Sequence, residues 1–207
     1  ENNLFAQTQL EQSFGINLTV LVDGQPKVLN LKEILQEFLK HRKDVVLKRT
    51  KFDLRKAKER GHIVEGLMVA IANIDEIIKI IKKSKDPKIA AQQLVKMKWK
   101  AGLVEAILNK VGKDACKPKG VPKGLGLTRK TYKLSNHQAK AILELRLGRL
   151  TGLEQDNLSG EFNSLIEKIT SLQEIIDDKS ILQKVIEDEL NEIKDTYGDE
   201  RRTDIND

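Results

Sequence analysis

The spacing of apolar residues late in the chain most constrains what it can fold into. Leu158, Phe162, Leu165, Ile169, Leu172 and Ile176 step by four and three in alternation. Side chains so spaced fall on one stripe of an α-helix, the seam of a coiled coil. Asp177-Asp178-Lys179-Ser180 interrupts the stripe with residues able to cap a helix. Leu182, Ile186, Leu190, Ile193 and Tyr197 then resume it. This spacing predicts a long arm with an elbow, residues 158–198, closed by Gly198 and followed by a polar tail, 199–207. A narrow apolar stripe needs a partner helix.

The partner lies upstream. Asn30 is a good N-cap, and Glu33 stands three residues on, as in a capping box. Leu31, Leu35, Phe38, Val45 and Phe52 follow a related spacing, which Arg42 and Arg49 interrupt. No Pro or Gly occurs from Leu31 to Arg60. A helix of that length spans about 45 Å. We expect an outgoing arm over 31–62, with a bend at Gly61, that pairs antiparallel with the returning arm. The charges allow this in two ways. Residues 27–60 carry a net +7 and residues 161–207 a net −8. The two stretches either face each other across the seam or form separately solvated faces.

Between the arms, residues 63–157 read as a helical head. Ile63, Val64, Leu67, Met68, Ile71, Ile74, Ile77, Ile78 and Ile81 make a broad apolar face, suited to a helix inside a bundle. Asp86-Pro87 opens another helix, continued by Leu94, Trp99, Leu103, Ile107 and Val111. Gly, Pro and Lys then crowd a predicted loop over 112–134. Ser135 with Gln138 forms a second capping box, and Thr151 with Glu154 a third. The helix between them is apolar on more than one side. A head with excess apolar surface should meet a second copy of itself. Ile142, Leu145, Arg146 and Arg149 are the candidate dimer-interface residues, and which side of the helix faces the partner stays open.

At the other end, residues 16–22 alternate like a strand, Asp23-Gly24 is a hairpin turn, and Lys27-Val28-Leu29 returns. Two strands alone are marginal, so residues 1–30 read as the remnant of a larger sheet domain. The chain opens at Glu1, and we expect a piece of a longer protein. The fold class is therefore mainly α: a long antiparallel two-helix coiled-coil stalk, a small helical head and a short N-terminal β-hairpin.

Chemistry is sparse. His41, His62 and His137 have no cysteine or carboxylate cluster at ligand spacing, so we expect no metal site. His62 reads as a helix-surface or bundle-edge residue. Cys116 lies in a basic loop that could favour a thiolate, but no base is fixed beside it, and an incidental residue is the stronger reading. The single cysteine also suits a reducing cytoplasm. Gly112-Lys113 lacks the preceding Gly and following Ser or Thr of a P-loop. Tyr132 sits among Arg129, Lys130 and Lys133, a setting that either lowers a phenol's pKa or holds a packing tyrosine; packing is the stronger reading. Tyr197, at the end of the seam, reads as packing. No leader and no membrane-length apolar run is visible. The cations of 40–60 could meet phosphate without sequence specificity, with Arg42, Lys43 and Arg49 as candidate lining of a DNA cavity.

Several words of the sequence resemble the A subunits of bacterial DNA gyrase, a family of type IIA topoisomerases. They include Gln7-Thr8-Gln9-Leu10, Ser13-Phe14-Gly15-Ile16-Asn17, His41-Arg42-Lys43-Asp44-Val45-Val46, His62-Ile63-Val64-Glu65-Gly66-Leu67, Gln138-Ala139-Lys140-Ala141-Ile142-Leu143-Glu144-Leu145-Arg146-Leu147 and Tyr197-Gly198-Asp199-Glu200-Arg201-Arg202-Thr203. The resemblance covers nearly the whole chain, in order.

It implies the end of a tower domain, two coiled-coil arms and the C-gate, the dimeric door through which a transported duplex leaves. The family's DNA-cleaving tyrosine follows an arginine, and no Arg-Tyr pair occurs here. The resemblance therefore implies no catalytic, cofactor or metal residue in this chain, which alone should be inactive. Magnesium and ATP would be bound by a partner protein, the gyrase B subunit, in a cytoplasmic enzyme. Two alternatives stay open: the same module of the topoisomerase IV A subunit, and a non-enzymatic coiled-coil scaffold. The stretch Ser84–Leu134 resembles a head insertion of Gram-negative gyrase and favours gyrase over topoisomerase IV.

Overall fold

A computed structural model describes residues 2–10, 12–122, 124–128, 131–145 and 152–203. The chain divides into two compact units, Glu1–Val46 and Leu47–Asp207.

The first unit holds a short helix α1 (Asn2–Gln7), strands β1 (Thr19–Val22) and β2 (Gln25–Val28), and the start of the long helix α2 (Leu31–Ala72). The strands pair antiparallel, Thr19 opposite Val28 and Val22 opposite Gln25. Asp23 and Gly24 take φ of 52° and 80°. Two successive positive values make the primed turn that suits a twisted hairpin. The expected capping box forms: Asn30 N donates to Glu33 Oε2 and Glu33 N to Asn30 Oδ1, each at 2.9 Å.

In the second unit α2 continues without a break through Gly61, where we expected a bend. Asn73 ends it instead. The Asn73 amide donates to Val69 O (2.7 Å) and Lys100 O (2.8 Å) and accepts from Lys100 N (3.3 Å). The side chain thus serves a short strand as a neighbouring strand would, and the apolar face expected to run on to Ile81 is split in two. After it come α3 (Ile74–Lys83), α4 (Pro87–Lys96), β3 (Trp99–Lys100) and α5 (Leu103–Val111). Asp86 caps α4 by accepting from Lys88 N, with Pro87 in the first turn.

The segment expected to be all loop, 112–134, contains β4 (Gly126–Thr128) and β5 (Thr131–Lys133). With β3 they form an antiparallel sheet in the order β3-β5-β4. Then follow α6 (Asn136–Glu144), α7 (Gly152–Asp177) and α8 (Lys179–Tyr197). Ser135 and Gln138 make a complete capping box on α6, and Asp178 caps α8 at the expected elbow. The third box, Thr151 with Glu154, lies outside the described residues.

The core gathers Val64, Leu94, Trp99, Val104, Leu108, Tyr132, Leu134 and Phe162, each no more than 1% exposed. Trp99 satisfies its indole N–H on Leu94 O at 2.9 Å. Large apolar side chains so buried contribute about 1.5–3 kcal/mol each.

Within this unit α2 runs antiparallel to α7 and α8. Arg60 grips Glu161 with two hydrogen bonds of 2.7 and 3.0 Å, while the earlier Arg49 pairs with the later Glu189. The basic and acidic stretches therefore do meet across the seam at these points.

The seam itself differs from its expected composition. On α7 the buried side chains are Phe162, Ile166 and Ile169, and on α8 Leu182 and Ile186. Leu158, Leu165, Leu172 and Ile176 are only half-buried, Ile193 is half-exposed and Tyr197 is 79% exposed. On α2 the expected stripe is largely exposed, with Leu31, Leu35 and Phe52 each more than half accessible. The inward face there is Thr50, Leu54, Ala57, Gly61, Val64 and Met68, again in steps of four and three. Small residues on α2 meet large ones on α7: a Cβ built on Gly61 would lie 3.5 Å from Ile169 Cδ1. Knobs fill holes by size as well as by apolarity.

Candidate functional site

Where α2 crosses α6 and the small sheet, a group of polar side chains is buried. His62 and Glu65 lie one turn apart on α2, Tyr132 is on β5, and Ser135 and Gln138 come from the capped start of α6. Each is no more than 5% exposed. His62 Nε2 and Ser135 Oγ share a hydrogen bond of 2.8 Å. Gln138 Nε2 donates to His62 O at 2.7 Å and to Tyr132 Oη at 2.8 Å. Tyr132 in turn donates to the Glu65 carboxylate.

No described side-chain polar atom is left buried and unpaired. Gly66 permits this approach, because a Cβ there would stand 2.6 Å from Gln138 Cγ. Such a fully satisfied network fixes one arrangement of the helices it joins.

Burial sets the protonation of this clasp. His62, which reads from the sequence as a helix-surface or bundle-edge residue, is buried, and desolvation pushes its pKa down to about 4. Burial raises Glu65 to about 7, against the hydrogen bond from Tyr132. Burial first, and then the Glu65 charge, hold the Tyr132 phenol well above its ordinary range. The basic setting of Tyr132 therefore does not activate it, and the packing reading holds. Cys116 is 1% exposed, and burial pushes its thiol up to about 12, so the thiolate reading fails. No group of three or more His, Cys, Asp or Glu suited to a metal ion occurs among the described residues.

The candidate interface residues divide. Ile142 is 5% exposed and belongs to the core of its own chain. Leu145, the C-cap of α6, is half-buried. It borders a small apolar cleft, about 120 Å³, shared with Ile71, Ile74, Ile78, Ile81 and Leu143. Arg146 and Arg149 lie outside the described residues. The candidate cavity residues divide as well. Arg42 is half-buried and Lys43 exposed in the first unit, while Arg49 is tied to Glu189 in the second. Sequence reasoning missed Glu65 and saw Gln138 only as a cap. A Glu within an apolar helical run was the one available signal.

Residues 1–191 match the family formed by the A subunits of DNA gyrase and topoisomerase IV. The chain belongs to this family. It is 48% identical to the DNA gyrase A subunit of Pseudomonas aeruginosa over 204 residues, covering 99% of this chain and 22% of the relative. It is 47% identical to that of Neisseria gonorrhoeae over 207 residues, covering 99% and 23%. Against that of Staphylococcus aureus the identity is 42%, covering 99% and 19%. The chain thus spans 19–23% of the length of these gyrase proteins. No described helix of this family member is long and apolar enough to cross a membrane.

Proposed function

We propose that this chain is the C-gate and coiled-coil module of a type IIA topoisomerase A subunit. In the whole enzyme it would form the dimeric exit for a transported duplex during ATP-dependent strand passage. The arms would be 31–62 and 158–198 and the head 63–157. The observation that carries this reading is the antiparallel pairing of α2 with α7 and α8, which sets the elements of α3 to α6 at one end of the pair. A rigid strut of this kind suits a door that must transmit motion without doing chemistry. The apolar cleft beside Leu145 supplies surface for a self-contact of modest strength, as a door that opens requires. The buried clasp would hold the head in register with the strut. The cutting tyrosine would lie elsewhere in the same polypeptide. The metal cluster and the ATP site would lie in the gyrase B subunit, in the cytoplasm.

Light scattering on the chain tests this. A dimer is expected, and Leu145→Glu should shift it towards monomer while circular dichroism stays helical. A wild-type chain that is monomeric at every concentration would sink the gate. In the whole enzyme, removing residues 31–198 should abolish supercoiling.

A further inference from the structure

One surface of the second unit is not used by the clasp or the apolar cleft. On the exposed side of α2, Lys48, Lys51, Arg55 and Lys58 follow each other at helical spacing. Lys117 and Lys119, on the connection between α5 and β4, face them across an open groove of about 590 Å³. Leu54, Pro118 and Ile176 contribute its apolar floor, and no carboxylate lines it.

Glu59 pairs with Arg55 at 4.0 Å and with Lys56 at 3.4 Å, and Asp114 pairs with Lys117 at 3.5 Å. Beyond Lys58 the neighbouring hollow mixes Glu174, Asp177 and Asp178 with Lys110 and Lys179, so the all-cationic lining belongs to this groove and stops there. Lys48, Lys51, Lys58 and Lys119 have no ion-pair partner among the described residues.

A small anion would need donors converging on one point, and these cations are instead spread in a row. Lys48 to Lys58 spans about 15 Å of helix. The same length of duplex axis carries roughly four phosphates on each strand. Base stacking is not offered: the Phe52 ring is covered by Arg55 and Lys56, at 5.2 and 5.9 Å from its centroid. We infer that this groove holds the phosphodiester backbone of duplex DNA through sequence-independent, salt-sensitive lysine contacts. The inference rests on the duplex-conduit reading and gives it a point of contact: a weak hold on a strand in transit, set on the arm and not on the door.

Fluorescence anisotropy with a labelled 30-base-pair duplex, run on the 207-residue chain across a salt series, tests it. The variant Lys48→Ala/Lys51→Ala/Lys119→Ala should weaken binding about tenfold or more and flatten the log–log salt slope by about 3. A control with equal charge loss elsewhere, Lys82→Ala/Lys83→Ala/Lys85→Ala, should change affinity less than about twofold. Equal losses in both variants would reduce the effect to bulk charge and overturn the groove, as would a wild-type chain that ignores duplex at low salt. Poly-glutamate of matched charge binding more tightly than duplex would assign the groove to an acidic protein segment and also overturn the inference. Light scattering on the same samples keeps the two readings apart. A dimeric triple variant that binds like wild type sinks the groove alone, whereas a monomeric wild type sinks the gate and leaves the groove comparison standing.

Discussion

Gly66 and Gln138 touch so closely that a Cβ on the glycine would lie 2.6 Å from Cγ of the glutamine. Gln138 cannot retreat, because its amide is fixed on His62, Tyr132 and the Ser135 backbone. Gly66→Ala should therefore cost stability, by about 1–3 kcal/mol of overpacking less about 1 kcal/mol of helix propensity gained. At Gly61 the same Cβ would press on Cys116 Sγ at 3.0 Å, on a connecting segment, and stand at ordinary contact distance, 3.5 Å, from Ile169 Cδ1. Gly61→Ala should lie closer to neutral. Thermal melts that rank the two variants the other way would overturn this view of the clasp.

Glu65 binds its proton more tightly in the folded chain, with a pKa raised from 4.5 to about 7. Its favourable contribution is complete below about pH 4.5 and is lost as pH rises through about 7. His62 acts in the opposite sense: its contribution is complete above about 6.5 and lost as pH falls through about 4. The two largely offset each other between these limits. In Glu65→Gln the carboxyl drops out while an acceptor for Tyr132 remains. The variant should gain on wild type as pH rises from 5 to 8, by roughly 2–3 kcal/mol in all. Denaturant midpoints measured across that range decide it; a gap that stays constant with pH would refute the assignment to Glu65.

The Arg60–Glu161 pair is half-exposed on both sides, so it sets direction more than stability. Arg60→Glu should cost about 1 kcal/mol, and Glu161→Arg in the same chain should restore most of it. The coupling should shrink in high salt. A double variant no better than the single one would show that the two helices do not meet there.

Two phenylalanines test the seam. Phe162 is fully buried and Phe52 is 51% exposed, though apolar spacing placed both on stripes. Phe162→Ala should cost about 3–5 kcal/mol, and Phe52→Ala under about 1 kcal/mol. Similar shifts in melting temperature for the two would contradict the seam described above.

Local chemistry is what the amino-acid order determined unaided. The hairpin at Asp23-Gly24, the caps at Asn30, Asp86, Ser135 and Asp178, and the helical arms all rest on residues within a few positions of one another. Tertiary structure decided the rest. Thr50, Ala57 and Gly61 carry too little apolar surface to mark a seam, and only the size of Phe162 and Ile169 opposite makes them one. His62 and Glu65 are residue types seldom fully buried, and their burial depends on partners dozens of residues away, Ser135 and Tyr132. The helix break at Asn73 likewise needs Lys100 to bind the amide. Periodicity reads contacts along one helix, whereas burial of a polar or small side chain is set by whatever the fold brings against it.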